Sequence, residues 1–376
     1  MISLENKRVL VISGSLTTIG GGGYSPYLLA RRLSDLGADV TAYTHHVHDI
    51  PPAEWSTLPF KVVQPSIRRG CRWYLPEREL AVRVVGEALR SKPSLVINVG
   101  VTILTRYLLR SPIARRLVVW ENIDAQVAPL DHNLIDPVAA NLMARCCAVV
   151  SPAPRVDAMI REHYRFSGPI YRLPFWIEET PQAGAHTGEL ASEFLFLARK
   201  SPYKGLGLVL EALARLKIDG IRPQLIVAGP GGDDWIRDSA RSQGVEGQLR
   251  IAFFKQRQTI MDALASTKCL LLPSLHEGYP LVMLEALSQG TPIIGSDTGG
   301  VGDMLGRTPG AVVLPKPTVD ALYVAMRDRW EKGRTGVPVE EAKALRQRFA
   351  EVNSPALINE RLADLVSSEC SRRGLQ

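Results

Sequence analysis

The sequence predicts an α/β protein made of two doubly wound parallel-sheet domains facing a cleft. Three observations carry that expectation. At 376 residues the chain is longer than one ordinary hydrophobic core needs. In both halves, short apolar runs alternate with longer runs of helical period, which is the pattern of strands buried on both faces and joined by helices. Between the halves lies "RLPFWIEETPQAGAHTGELAS" (172–192), rich in Pro, Gly, Ala and Thr. The expected organisation is a first domain at 1–175, a linker at 176–192, a second domain at 193–353, and a terminal helix at 354–376 that packs back on the first domain.

In the first half, "RVLVIS" (8–13) reads as a buried strand. "YLLARRLSDLG" (27–37) has apolar residues at helical spacing and closes on Gly37. "ADVTAYT" (38–44), "SLVINVG" (94–100), "RLVVWE" (116–121) and "CAVVSP" (147–152) read as further strands. The second half repeats this with "EFLFLAR" (193–199), "PQLIVAG" (223–229), "RIAFF" (250–254), "CLLLPS" (269–274) and "PIIGS" (292–296). "LGLVLEALARL" (206–216) is one of the helices between them. No sequence repeat is visible, only a repeated architecture.

Apolar residues make up 45% and charged residues 22%, so the chain is globular rather than disordered. The net charge of +7 suits a basic surface kept for solubility, an anionic ligand or an anionic membrane surface. No basic run interleaved with aromatics occurs, so nucleic acid is not expected. The five cysteines (Cys71, Cys146, Cys147, Cys269 and Cys370) are odd in number and form no CxxC, which indicates neither a disulfide framework nor a zinc site. The first apolar run is too short for a signal peptide, and none spans a bilayer. A cytoplasmic protein is expected, with peripheral contact at the inner membrane face left open.

The stretch "HEGYPLVMLEA" (276–286) follows the strand "CLLLPS". Proline suits the start of a helix because it lacks the N–H that would go unpaired there. A helix over Pro280 to Gln289 is expected, ended by Gly290. Glu277 then lies in the loop at the carboxyl rim of the sheet, and Glu285 lies on the second helical turn. Cβ bonds tilt toward a helix N-terminus, so Glu285 reaches back toward that rim. Free amides of the helix N-terminus favour an anion there. Hydroxyls beside a phosphate would satisfy carboxylates and amides together, and a sugar nucleotide carries both. The plainer reading stands beside it: a solvated helix face for Glu285 and a capping role for Glu277. The neighbouring loops favour the ligand. Gly299 and Gly300 in "SDTGGVGDML" (296–305) permit a close backbone approach on the same rim. Arg199 and Lys204 in "ARKSPYKG" (198–205) flank a loop there and suit a diphosphate.

These residues resemble the GT-B-fold retaining glycosyltransferases of the GT4 type, also called glycosyl transferases group 1. "EGYPLVMLEALSQGTPIIGSDTGGV" is similar to that family's Glu-x₇-Glu region and Gly-Gly element, and "FLFLARKSPYKGLGLVLEAL" to its Arg…Lys-Gly element. The likeness runs over 193–306, and "GGGGYSPYLLARRLSDLGADVTAYT" (20–44) adds a weaker match to the N-terminal glycine loop. The resemblance implies two Rossmann-like domains and a sugar carried from a nucleotide-diphosphate donor to an acceptor hydroxyl with retention. A glycan, glycolipid or lipid-linked saccharide is the expected acceptor. It implies that Glu285 holds the ribose hydroxyls, Glu277 contacts the donor sugar, and Arg199 and Lys204 neutralise the departing diphosphate. It also places Gly278, Tyr279 and His276 by the donor, and Gly21 and Gly22 near the reaction centre.

The chain departs from the family in three places. "VVWENIDAQ" (118–126) lacks the usual histidine, leaving Glu121, Asn122 or Asp124 as its replacement. Phe254-Lys255 stands where relatives have a glycine near the nucleobase, so Lys255 is carried as a donor-side residue and the base stays open. Asp303 replaces a longer acid after the glycine pair. No Asp-x-Asp occurs in the chain, so neither a metal nor another cofactor is expected, and fixed cations would serve the diphosphate. Two other readings keep the same site residues: a nucleotide-sugar epimerase, and a non-catalytic sugar-nucleotide-binding subunit.

The remaining signals carry less. "HHVHD" (45–49) reads as a solvated or acceptor-lining loop rather than a metal site, since only Asp49 frames its histidines. The run Gly20–Gly23 lacks both the dinucleotide spacing and the P-loop Lys-Ser/Thr. "SIRRGCRWYLPER" (66–78) is an ordinary basic loop, or one that meets an anionic interfacial acceptor.

Overall fold

A computed structural model describes residues 3–18, 21–64, 75–121, 136–178 and 192–372. Asn122, Asp124 and most of the basic stretch at 66–78 lie outside the described residues, as does the linker from 179 to 191. The chain divides into two compact units, Met1–Trp176 with Ser354–Gln376, and Ile177–Asn353.

The first unit is built on a seven-stranded sheet. Its strands are β1 (Arg8–Leu16), β2 (Asp39–Val47), β3 (Lys61–Val63), β4 (Leu95–Val99), β5 (Leu117–Trp120), β6 (Ala148–Ser151) and β7 (Ile170–Arg172). They lie in the order β3-β2-β1-β4-β5-β6-β7, all pairings parallel. Every residue of β4, β5 and β6 is buried, because helices cover both faces of a parallel sheet. These helices include α1 (Gly21–Asp35), α2 (Leu75–Ser91), α3 (Ile103–Leu109), α4 (Pro137–Ala140) and α5 (Pro154–His163). The edge strands β3 and β7 escaped the sequence reading. Three residues each are too few for a period to show.

The second strand differs from expectation. "HHVHD" was expected to lie in a loop, but β2 continues to Val47, with His46 opposite Ser15 and Val47 opposite Leu16. Its register on the long β1 carries His45 and His46 into the sheet. His45 is buried with no hydrogen-bond partner for either ring nitrogen among the described residues, and burial lowers its pKa to about 4, so the ring is neutral. Asp49 is committed elsewhere, accepting from the hydroxyls of Thr17 and Thr18.

The second unit carries β8 (Phe194–Leu197), β9 (Leu225–Ala228), β10 (Leu249–Ala252), β11 (Leu270–Leu272), β12 (Ile293–Ser296) and β13 (Ala311–Leu314). The sheet order is β10-β9-β8-β11-β12-β13, again all parallel. Phe194, Phe196, Leu210, Leu213, Val227, Leu271 and Ile294 sit in one core between this sheet and its helices. Each such side chain contributes roughly 2 kcal/mol by leaving water. The helices are α6 (Leu206–Ile218), α7 (Asp234–Ser242), α8 (Arg257–Ser266), α9 (Leu281–Gln289), α10 (Val301–Leu305), α11 (Val319–Lys332) and α12 (Val339–Val352). Proline was expected to open α9, but Pro280 has ψ 114° and stands just outside it as the N-cap, so the helix starts at Leu281. At the other end Gly290 takes φ 72°, the left-handed geometry that suits glycine after a helix.

A last helix, α13 (Pro355–Arg372), follows the second unit in sequence and belongs to the first. Its Ile358, Leu362, Leu365 and Val366 are buried, and the Tyr171 hydroxyl of β7 donates to Glu369. Among the described residues no helix is long and apolar enough to cross a membrane.

The chain enters the second unit at Ile177 and leaves it at Asn353, and these residues are bonded to each other. The Ile177 N–H donates to Asn353 Oδ1 at 2.9 Å, and Asn353 Nδ2 donates to the Ile177 carbonyl at 2.9 Å. Both residues are buried, so Asn353→Ala strands a buried donor and a buried acceptor, each costing ~1–3 kcal/mol. The expected outcome is a lower midpoint in thermal unfolding, with a loss of roughly 2–4 kcal/mol. A variant as stable as the parent would show that the pairing carries no weight.

Candidate active site

In an open parallel sheet, ligands bind beyond the carboxyl ends of the strands, where the strand order reverses. In the second unit that point lies between β8 and β11, since β9 and β10 extend the sheet on one side and β12 and β13 on the other. The loop leaving β8 carries Arg199 and Lys204, and the loop leaving β11 carries Ser274 through Tyr279.

Backbone contact locks these two loops together. The Leu275 N–H donates to the Tyr203 carbonyl at 2.7 Å. Gly205 has φ 78°, and a Cβ built there would fall 2.1 Å from the Pro273 carbonyl oxygen, so only glycine fits. This packing delivers Lys204 to Glu277. Lys204 Nζ donates to Glu277 Oε1 at 2.6 Å, and the Ser274 hydroxyl donates to the same oxygen at 2.7 Å. Glu277 is buried, and these two donors offset part of the cost of desolvating its charge.

The loop leaving β12 closes on the same segment. Gly299 has φ 54°, and a Cβ there would lie 2.2 Å from the Glu277 carbonyl oxygen and 2.4 Å from that of Gly278. The Gly300 N–H donates to the Gly278 carbonyl at 2.6 Å. The glycine pair was read from sequence as making room for a ligand. The close approach observed is to the backbone that holds Glu277.

Glu285 lies on α9 and is buried, which removes the reading of a solvated helix face. Its Oε1 accepts from Arg257 Nη1 at 2.8 Å, and Arg257 is the first residue of α8. Burial pushes the Glu285 carboxyl up from the usual carboxylate range, and the Arg257 guanidinium pulls it down. The two carboxylates are thus held by different cations, Lys204 for Glu277 and Arg257 for Glu285. Arg199 stands apart: exposed, with no side-chain ion pair among the described residues.

The other expected residues fall as follows. Gly278 and Tyr279 are buried in the loop after β11, His276 is half-buried, and Lys255 is exposed after β10. Gly21 and Gly22 open α1 in the first unit, and a Cβ on Gly22 would meet nothing within 4 Å. Glu121 is fully buried and takes a hydrogen bond from the Tyr164 hydroxyl, next to Trp120 stacked on Phe175 and Trp176. Sequence reasoning missed Ser274 and Arg257. Serine three residues before the glutamate was visible but carried no pattern. Arg257 lies 28 residues from its partner, and only the packing of α8 on α9 joins them.

The chain resembles known proteins in sequence and in fold. Residues 187–371 match the family described as Glycosyl transferases group 1. A glycogen synthase of Mycobacterium tuberculosis is 30% identical over 159 residues, spanning 42% of this chain and 38% of that protein, so the chain matches well under half of that relative's length. Among solved structures, sucrose-phosphate synthase from Thermosynechococcus elongatus superposes with a TM-score of 0.78 at 16% identity, covering 96% of this chain and 99% of that one. Anabaena HepE in complex with UDP-glucose superposes with a TM-score of 0.70 at 17% identity, covering 96% and 99%. These likenesses show the fold, two Rossmann-like domains of the GT-B architecture.

Gly299→Ala is expected to push the 277–278 backbone aside, lowering the melting temperature by several degrees, an effect of roughly 1–3 kcal/mol. Gly22→Ala, with open space for its methyl, is expected to leave the melting temperature unchanged within about a degree. Parallel thermal unfolding of the two variants checks the contrast.

Proposed function

The chain belongs, through residues 187–371, to the glycosyl transferases group 1, and from that premise we propose that it is a retaining glycosyltransferase of the GT4 type. It takes a nucleotide-diphosphate sugar as donor and a hydroxyl of a glycan, glycolipid or lipid-linked saccharide as acceptor. The observation that carries this reading is the cluster at the strand-order reversal: Glu277 paired with Lys204 and Ser274, with the exposed Arg199 on the same loop as Lys204. The complex of HepE with UDP-glucose, on a similar fold, supports a sugar nucleotide as donor.

In this mechanism the bond between the anomeric carbon and the β-phosphate oxygen breaks through an oxocarbenium-like state. Arg199 and Lys204 meet the charge that gathers on the departing diphosphate, and these two side-chain cations take the place of a metal ion. Glu277 accepts from hydroxyls of the donor sugar, and because Lys204 bridges it to the phosphate side, both ends of the breaking bond are held by one ion pair. The acceptor oxygen bonds to the anomeric carbon on the face the diphosphate leaves, and its proton passes to the departing phosphate oxygen. Glu285 holds the ribose hydroxyls.

Two measurements test this. In a thermal-shift panel of UDP, GDP, ADP and dTDP sugars, at least one is expected to stabilise the protein, by ~2.7 kcal/mol at one hundred times its dissociation constant. Arg199→Ala combined with Lys204→Ala is expected to cut kcat by at least about a hundredfold, since one strong donor to developing charge is worth ~3–4 kcal/mol. Turnover left intact in that double variant would overturn the assignment.

A further inference from the structure

The ion pair behind Glu285 assigns a task to a residue outside the motifs read from the sequence. We propose that Arg257 is a positioning residue for recognition of the nucleotide's ribose: its hydrogen bond holds the Glu285 carboxyl in one orientation. The proposal rests on the ribose role given to Glu285 above. Three observations carry it. Glu285 is buried on a helix whose neighbours in the core are apolar, so its charge needs a nearby cation to persist. Arg257 Nη1 donates to Oε1 at 2.8 Å, engaging one carboxylate oxygen. The arginine itself is held in place, as the first residue of α8 with its side chain only 19% exposed. An exposed lysine or arginine on a loop would wander; this one is fixed by the packing of α8 against α9.

Among the described residues, Arg257 is the charged group whose field acts on the Glu285 carboxyl. The sign of the effect follows. Burial favours the protonated acid and Arg257 favours the carboxylate. Without Arg257 only the upward push is left, so the Glu285 carboxyl keeps its proton to higher pH than in the wild-type chain. A protonated carboxyl is a poorer acceptor for two vicinal hydroxyls, whereas phosphate and base contacts are untouched.

The test is calorimetric titration of the wild-type chain, Arg257→Met and Arg257→Lys with UDP, GDP and ADP and with their 2′,3′-dideoxy counterparts. The expected result is that wild type prefers the ribonucleotide it binds, and that Arg257→Met weakens that ligand about tenfold while changing the dideoxy form less than about twofold. Arg257→Lys, which keeps the charge, recovers most of the loss. The deficit of Arg257→Met shrinks as the pH is raised, a recovery that mere loosening of α8 would not produce. An equal loss for ribo and dideoxy ligands, or tighter binding by Arg257→Met, overturns the assignment and leaves the donor reading standing. If wild type binds none of the three diphosphates, the donor reading falls and the role of Arg257 falls with it.

Discussion

The segment that carries Glu277 cannot move independently of its neighbours, and the rest of the second unit's chemistry depends on that restraint. Gly205 presses on the carbonyl of Pro273 from one side, and Gly299 presses on the carbonyls of Glu277 and Gly278 from the other. Neither contact leaves room for a side chain. Hydrogen bonds from Leu275 to Tyr203 and from Gly300 to Gly278 close the same two seams. A carboxylate held this way loses little freedom when it meets a ligand, which is how a rigid scaffold converts contacts into affinity and rate.

Charge is arranged with similar economy. A buried carboxylate is costly unless it is paired, and each of the two here has its own cation on a different structural element. Lys204 arrives from the loop after β8 and Arg257 from the start of α8, so each pair also bridges segments distant in sequence. Arg199 has no such duty, and it is the cation of the group that stays exposed. Within one small region, some charges build the site and another stays available to an incoming anion.

How much of this could be read from the chain follows from the range of the interactions. Strands buried on both faces announce themselves as apolar runs, and ten of the thirteen strands among the described residues were found that way. The three that were missed, β3, β7 and β13, are short strands at sheet edges with partly exposed residues. The rim location of Glu277 and the backward reach of Glu285 were legible because strand–loop–helix geometry is local. Arg257 was not, since its partner lies a full helix and strand away. The glycines were legible as glycines but not in purpose, because a sequence does not say which carbonyl a missing Cβ makes room for. The strand placement of His45 and His46 was hidden for a related reason: a histidine pair reads as polar, and only pairing with the long β1 draws it into the sheet.

The mutual bonding of Ile177 and Asn353 has a consequence for biosynthesis. The second unit is an insertion, with its two ends tied side by side, whereas the first needs α13, which follows that insertion, to cover the edge around Tyr171. On the ribosome, therefore, the segment made second has all its parts first. The earlier-made sheet must wait, its flank uncovered, until α13 emerges.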